Sequence, residues 1–236
     1  MERLYEHWLN PQIAYSQNQK GDWLDFHLQY AQEIMQILAY FKKPSSSLNV
    51  FDFGMGWGKW SLMAKAFGCN SYGTELSQHR INNAVSNGIN VITWDEIPQH
   101  KFDFINTEQV FEHLAEPLKT MEHLKQALKP NGLLKISVPT ATDMERRLKI
   151  MDWMSPKGAK NSLNPVAPLE HINFYRRKSL LKMASAAGLK EAPLSIRLQY
   201  QYALDLSGFK KFVKSMIRPI NRTVFKTQNY VFFCKE

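Results

Sequence analysis

The hydrophobic positions of this chain change period along its length. From Trp23 to Phe41, apolar and aromatic residues return every three or four positions (Trp23, Phe26, Tyr30, Ile34, Ile37, Leu38, Phe41). That is the spacing of one helical face. Lys42-Lys43-Pro44 ends the pattern, and Ser45-Ser46-Ser47 links onward. Short apolar runs at residues 49–53, 70–76, 90–93, 102–106 and 133–138 then alternate with helical patterns. The alternation predicts a parallel sheet with helices on both faces. After Pro139 the rhythm breaks. Residues 140–168 carry Trp153, three prolines and five lysines or arginines, and predict a short helix and a long loop over the carboxyl ends of the strands. A helix is expected over 174–188, and last strands over 192–202 and 223–235. Between those strands, residues 206–222 place Phe209, Phe212, Val213, Met216, Ile217 and Ile220 on one helical face, with Lys210, Lys211, Lys214 and Arg218 elsewhere.

The first strand holds the most telling chemistry. Asn49-Val50-Phe51-Asp52-Phe53 runs into Gly54-Met55-Gly56-Trp57-Gly58 and at once into a helical pattern. Glycines let backbone approach a ligand closely, and a helix N-terminus offers amide groups to an anion. A dinucleotide fingerprint needs a glycine where Lys59 stands, which argues against a nicotinamide dehydrogenase. A phosphate-gripping loop needs Ser or Thr after Gly58-Lys59, where Trp60 stands. A tight turn with no ligand is the plain alternative.

Together with the strand ends after it, Asp52-x-Gly54-x-Gly56-x-Gly58 resembles the first motif of class I S-adenosylmethionine-dependent methyltransferases, in their small-molecule branch. The resemblance rests on an ordered set. A second strand ends at Glu75, roughly 20 residues past the turn, where an acidic residue can hold ribose hydroxyls. A Phe102-Asp103 strand precedes Phe111-Glu112-His113, similar to a "Leu-Glu-His" turn. Lys129-Pro130-Asn131-Gly132 is similar to a "Leu-Lys-Pro-Gly-Gly" turn. Residues 48–140 are covered well and 165–190 more loosely. The resemblance implies an α/β, Rossmann-like, seven-stranded and mostly parallel sheet with the last strand antiparallel. It implies one methyltransferase domain over residues 1–236, with an N-terminal cap and helix at 1–47, a cofactor-binding core at 48–138, a lid at 139–170 and the rest of the sheet at 171–236.

The same resemblance assigns S-adenosyl-L-methionine as cofactor. Gly54, Gly56 and Gly58, with Met55 between them, line its methionine part, and Asp52 orders the turn or meets the amino group. Glu75 takes the ribose hydroxyls, and Leu76 packs on the adenine. Asp95 meets the adenine amino group with Trp94 beside the ring, although this acidic turn is short and leaves a backbone N–H as the alternative. Thr107, at the end of the fourth strand, joins the cofactor contacts. A hydroxyl acceptor benefits from a base, and His113 and His171 are the candidates. His171 lies in a segment similar to a "Glu-His-x-x-Phe" turn of this branch. The plain alternatives are a helix-capping Asp52, a surface Glu75 and structural histidines. Some relatives hold a divalent ion with Glu-x-x-Glu-His. Here Gln109 takes the first position, and Glu112 with His113 are too few ligands, so no metal is expected.

Composition narrows the class further. The 236 residues suit one sizeable domain, and the formal charge of +9 favours anionic partners: nucleic acid, a membrane surface or an acidic small molecule. Solubility alone also explains it. Two cysteines make neither a disulfide framework nor a metal cluster, and fit a reducing compartment. No signal core and no run of about 20 apolar residues is present, so a cytoplasmic location is expected. The basic helix at 206–222 is read either as packed on the sheet or as a peripheral membrane contact. The expected activity is methyl transfer to an oxygen of a small or lipid/sugar-linked acceptor, anionic if the lid cations face it. An RNA methyltransferase and a catalytically silent methyltransferase-like binding protein are the alternatives. Asn106-Thr107-Glu108-Gln109, standing where base methyltransferases carry a proline-rich motif, argues against base methylation.

Overall fold

The computed structural model describes residues 23–140, 143–156, 159–166, 170–201, 208–226 and 229–236. The polar N-terminal cap expected at residues 1–22 lies outside them. Helix α1 (Trp23–Phe41) leads into β1 (Asn49–Phe53), α2 (Lys59–Ala66), β2 (Asn70–Thr74), α3 (Gln78–Ser86) and β3 (Asn90–Val91). Strand β4 (Phe102–Glu108), α4 (Pro117–Ala127) and β5 (Leu128–Ser137) come next. The remainder is α5 (Met144–Ile150), α6 (Arg177–Ala186), β6 (Leu189–Glu191), α7 (Ile196–Gln201), α8 (Phe209–Thr223) and β7 (Tyr230–Lys235).

Seven strands form one sheet in the order β3-β2-β1-β4-β5-β7-β6. Strand β7 runs antiparallel to both β5 and β6, and the other pairs are parallel. This is the Rossmann-like arrangement expected from the sequence. The chain winds outward from β1 to β3 and then crosses back to β4, which opens a crevice at the carboxyl ends of β1 and β4.

Strand side chains alternate between two apolar layers, as the period of two requires. Phe51, Ile105, Leu134, Ile136 and Phe233 pack with Met121 and Leu124 of α4 and Leu180 of α6. Val50, Phe104, Leu133 and Phe232 pack with Ile34 and Ile37 of α1 and Trp60 of α2. In register on adjacent strands, Asp52, Asn106 and Lys135 interrupt the apolar pattern and form a buried polar row across the sheet.

The last third differs from the expectation. Residues 192–202 alternate like a strand, yet the short strand is Leu189–Glu191 and Ile196–Gln201 is a helix. Ser195 is the reason: its Oγ accepts the Leu198 N–H at 3.2 Å, an N-cap contact, and Leu194 and Leu198 then face the α1 layer together. Thr223 ends α8 rather than starting a strand. In the segment expected to form a lid, Arg146 donates to Asn161 Oδ1 and the Lys160 carbonyl, each at 3.0 Å, and Arg147 donates to the Ser162 carbonyl at 2.9 Å. These two arginines fold the segment on itself.

Candidate active site

Gly54, Gly56 and Gly58 all take positive φ, at 72°, 54° and 69°. The turn is pinned to β2, because the Gly54 and Met55 amides both donate to the Thr74 carbonyl. Met55 fills the space beside Gly73, where a Cβ would meet its Sδ at 2.3 Å. A Cβ added at Gly56 meets nothing within 4 Å, so that stretch of backbone is bare. Glu75, just past β2, reaches back: Oε2 accepts the Gly56 N–H at 2.8 Å, and Oε1 accepts those of Leu76 and Ser77 at 2.9 and 3.2 Å. The carboxylate therefore organises the glycine turn as well as closing the second strand.

A cleft of about 290 Å³ opens over this turn, lined by Asp52, Gly54, Met55, Gly56, Asn106, Glu108 and Gln109, with Tyr30 and Trp60 as walls. Asp52 is 3% exposed and takes hydrogen bonds from Asn106 Nδ2 at 2.7 Å and Ser61 Oγ at 3.1 Å. Burial nonetheless pushes its carboxyl up to about 7, the two donors opposing the rise. Leu76 and Trp94 are exposed, and neither is among the residues lining this cleft. Trp94 stacks on His123 with ring centroids 3.9 Å apart, and Asp95 is exposed in the same turn. Thr107 does not join this group. It is buried, and its hydroxyl donates to the Lys135 carbonyl at 2.9 Å.

A second cavity of about 300 Å³ lies beside the first, between α1, α8 and the ends of β5 and β7. Gln32, Glu33 and Gln36 line it from α1, Arg218 and Arg222 from α8, and Ser137, Asn229 and Tyr230 from the strand side. Tyr30 and Glu108 line both cavities. Beneath them Lys135 Nζ donates to both oxygens of Glu33 at 2.8 Å and to Glu108 Oε2 at 3.2 Å. Trp60 Nε1 and the Tyr230 hydroxyl also donate to Glu33. Burial works against the Lys135 ammonium, but Glu108 and Glu33 more than reverse it and raise its proton affinity. Burial likewise opposes the Glu33 carboxylate, and Lys135 outweighs it and holds Glu33 below the ordinary carboxylate range. The hydrophobic periods alone pass over this network, although a glutamate inside an apolar helical stripe and a lysine inside Leu133-Leu134-Lys135-Ile136 both signal it.

The two histidines meet elsewhere. Their rings lie 4.9 Å apart, and neither is among the residues lining the two cavities. His113 Nδ1 donates to the Glu170 carbonyl at 2.7 Å and His171 Nδ1 to the Pro165 carbonyl at 2.9 Å. Burial depresses the His113 proton affinity, partly offset by the Glu170 carbonyl. Glu112 beside them is 1% exposed with neither carboxyl oxygen hydrogen-bonded, and burial pushes it up to about 7.

Comparison with known proteins fits this geometry. The chain is 28% identical over 196 residues to the ubiquinone biosynthesis O-methyltransferase of Glaesserella parasuis serovar 5 (strain SH0165), covering 73% of this chain and 78% of that protein. Among solved structures, it superposes on the plantazolicin methyltransferase BpumL, bound to a pentazolic desmethylPZN analog and SAH, with a TM-score of 0.62 at 14% identity over 100% of this chain and 94% of that one. It also superposes on PKMT2 from Rickettsia typhi in complex with AdoHcy, with a TM-score of 0.54 at 16% identity over 88% of this chain. There it spans about half of the longer protein (52%). These structural likenesses carry the fold. A family model described as a methyltransferase domain matches residues 23–192, most of the chain. The chain belongs to that family: it is a class I, S-adenosylmethionine-dependent methyltransferase.

Proposed function

We propose that this chain methylates an oxygen of a small or lipid/sugar-linked acceptor held in the cavity between α1 and α8, beside the cofactor cleft. The observation that carries this reading is the wall the two cavities share, Tyr30 and Glu108. The relative named as an O-methyltransferase supports oxygen as the acceptor atom.

The cleft over the glycine turn fits S-adenosylmethionine on three counts: the bare backbone at Gly56, the buried carboxyl of Asp52 and the carboxylate of Glu75 at the second strand end. Gly54, Met55, Gly56 and Gly58 line the methionine part, and Asp52 faces the amino group. Glu75 offers oxygen to the ribose hydroxyls while keeping its hold on the turn. Leu76, Trp94 and Asp95 surround the adenine. Thr107, committed to β5, takes no part.

When bound, S-adenosylmethionine supplies an electrophilic methyl group on a sulfonium whose departure leaves a neutral thioether. The chain has to align the acceptor, and orientation can contribute about 7–11 kcal/mol. Tyr30 and Glu108 form the shared wall where alignment is decided. Glu108 takes the acceptor's proton as the new bond forms, its carboxylate aimed by Lys135 at 3.2 Å. His113 and His171, the candidates that the sequence offered for this step, stand apart from the residues that line the cavities, and the proton role passes to Glu108.

The test is transfer of label from methyl-labelled cofactor into small-metabolite pools and into total RNA, at low and physiological salt. Label in a small acceptor, reduced about 10²-fold or more in Glu108→Gln with S-adenosylhomocysteine affinity unchanged, supports the reading. Label in RNA alone, weakened steeply by salt, overturns it.

A further inference from the structure

We propose that the acceptor is a saccharide or polyol bearing a phosphate. Its hydroxyl-rich ring sits in the cavity between α1 and α8, and its phosphate sits in a third, basic cavity next to it. The proposal rests on the acceptor cavity assigned above. The third cavity, of about 660 Å³, lies between α5 and the start of α6, and Thr140 and Asn229 line it and the acceptor cavity alike. The acceptor cavity therefore borders the cofactor cleft through Tyr30 and Glu108, and the basic cavity through Thr140 and Asn229. That second border is fixed in place. Asn229 is buried, its Nδ2 donates to the Pro139 carbonyl at 3.1 Å and the Tyr175 carbonyl at 2.7 Å, and Thr140 bridges to Tyr175.

The charges of the third cavity do not balance. Arg146, Lys149, Arg176, Arg177 and Lys226 line it, against the carboxylates of Asp143 and Glu145. Ion pairs account for some of these cations: Arg177 and Lys226 share Glu191, and Arg176 pairs with Glu145. Arg146 and Lys149 stand three residues apart on α5, which puts them on one helical face. Neither forms an ion pair among the described residues. The hydrogen bonds of Arg146 go to neutral oxygens, Asn161 Oδ1 and the Lys160 carbonyl. Two positive charges are thus left to face the cavity.

The start of α6 adds to this excess. Arg176 is its N-cap residue, Arg177 and Lys178 follow, and the first turn holds no acidic residue. A helix N-terminus already carries positive partial charge and amide groups without intrahelical partners. Three cations there oppose the dipole, and an anion in the cavity offsets the dipole and the side chains together. A phosphate group presents several acceptor oxygens, and the planar guanidinium fork matches them.

The acceptor cavity itself suits hydroxyls better than hydrocarbon. Gln29, Gln32 and Gln36 of α1 and Gln199 of α7 line it. An amide side chain both donates and accepts, as a hydroxyl does. Gln36 and Gln199 brace each other, with Gln36 Nε2 donating to the Gln199 carbonyl at 3.2 Å. The side chains of Gln29 and Gln32 make no hydrogen bond among the described residues and are available to an acceptor. Val138 and Pro219 are the only aliphatic residues among the described ones that line the cavity. A hydrocarbon acceptor needs a mostly apolar wall, so of the small, lipid-linked and sugar-linked classes the sugar-like one fits this lining.

The full chain, saturated with S-adenosylhomocysteine, is titrated by calorimetry with glucose and inositol, each with and without a 1-phosphate. It is also pelleted with phosphatidylcholine vesicles holding phosphatidylinositol, whose headgroup is a polyol phosphate carried on a lipid. A phosphorylated probe should bind about 10-fold or more tighter than its parent polyol. Inorganic phosphate should displace it, and sodium chloride of equal ionic strength should not. Lys149→Gln and Arg176→Gln, both at solvent-accessible positions, should each weaken the phosphorylated probe about 5- to 10-fold. They should leave the phosphate-free polyols and S-adenosylhomocysteine unchanged. Gln32→Leu should weaken a polyol and its phosphate alike. Capture by the vesicles with no soluble 1-phosphate bound assigns the phosphate to a lipid carrier, and binding of a soluble 1-phosphate assigns it to a free acceptor. Equal affinity within each pair with no vesicle capture, displacement by chloride, or cation variants that bind like the parent overturns the phosphate site, as does the absence of all binding. If the cation variants act and Gln32→Leu does not, the basic cavity stands and the acceptor cavity fails. The converse leaves the acceptor cavity without its phosphate site.

Discussion

At the scale of single residues, Asp52 and Glu75 make opposite demands on the fold. Asp52 keeps its proton to about pH 7 when buried and loses it near its ordinary 3.8 when unfolded. Between those values the folded chain binds the extra proton. Its stabilising contribution is therefore complete below about pH 4 and is lost as the pH rises through 7. Asp52→Asn, which carries no proton to lose, should leave urea midpoints unchanged near pH 4. At pH 8 it should raise stability relative to the parent by on the order of 4 kcal/mol. Parallel stability curves across that window would rule the assignment out. Glu75 is the reverse case, a carboxylate already satisfied by three backbone N–H groups. Glu75→Ala removes both the ribose partner and the tie on Gly56. Charge-assisted bonds are worth about 1.5–3 kcal/mol, so S-adenosylhomocysteine affinity should fall roughly 10- to 100-fold in calorimetry. An unchanged affinity would end the ribose assignment.

At the scale of elements, the glycines separate by what surrounds them. Gly73→Ala drives a Cβ to 2.3 Å from Met55 Sδ and displaces Met55 from Ala84 and Ile89. Such overpacking costs about 1–3 kcal/mol. Gly56→Ala meets no neighbour and carries only the strain of its positive φ, roughly 1–2 kcal/mol. Thermal melts should place Gly73→Ala at or below Gly56→Ala, and the reverse order would contradict the packing described. The same local rules explain what the sequence made legible. Strands β1, β2 and β4 and helix α1 announced themselves through period and punctuation, because each is long or closely bounded by glycine and proline. The helix at Ile196–Gln201 did not, because Leu194, Ile196, Leu198 and Tyr200 satisfy a period of two, and one serine cap decided the outcome. The second cavity escaped for a different reason. Its walls come from α1, α8 and two strand ends far apart in the chain, and no local pattern encodes their meeting. His171 beside Glu112 is the same kind of fact.

At the scale of the whole molecule, one buried ion pair joins the N-terminal helix to the middle of the sheet. Lys135→Met should destabilise the chain by about 3–5 kcal/mol in urea, because it strands Glu33 in the interior without its cation. Adding Glu33→Gln should recover much of that loss, since removing both charges also removes the desolvation cost. A double variant no more stable than Lys135→Met would show that the pair's contribution is packing. The formal charge of +9 plays no part in this balance, for Glu33 and Lys135 cancel. The anchor has a further consequence. Tyr30 stands one helical turn from Glu33 and walls both cavities, so neither cavity exists unless α1 is seated. Seating of the helix and occupancy of the cleft are then one linked equilibrium, and α1 behaves as a keystone. Saturating S-adenosylhomocysteine should slow amide hydrogen exchange along the inner face of α1 as strongly as in the glycine turn it touches, and in Lys135→Met both protections should fade together.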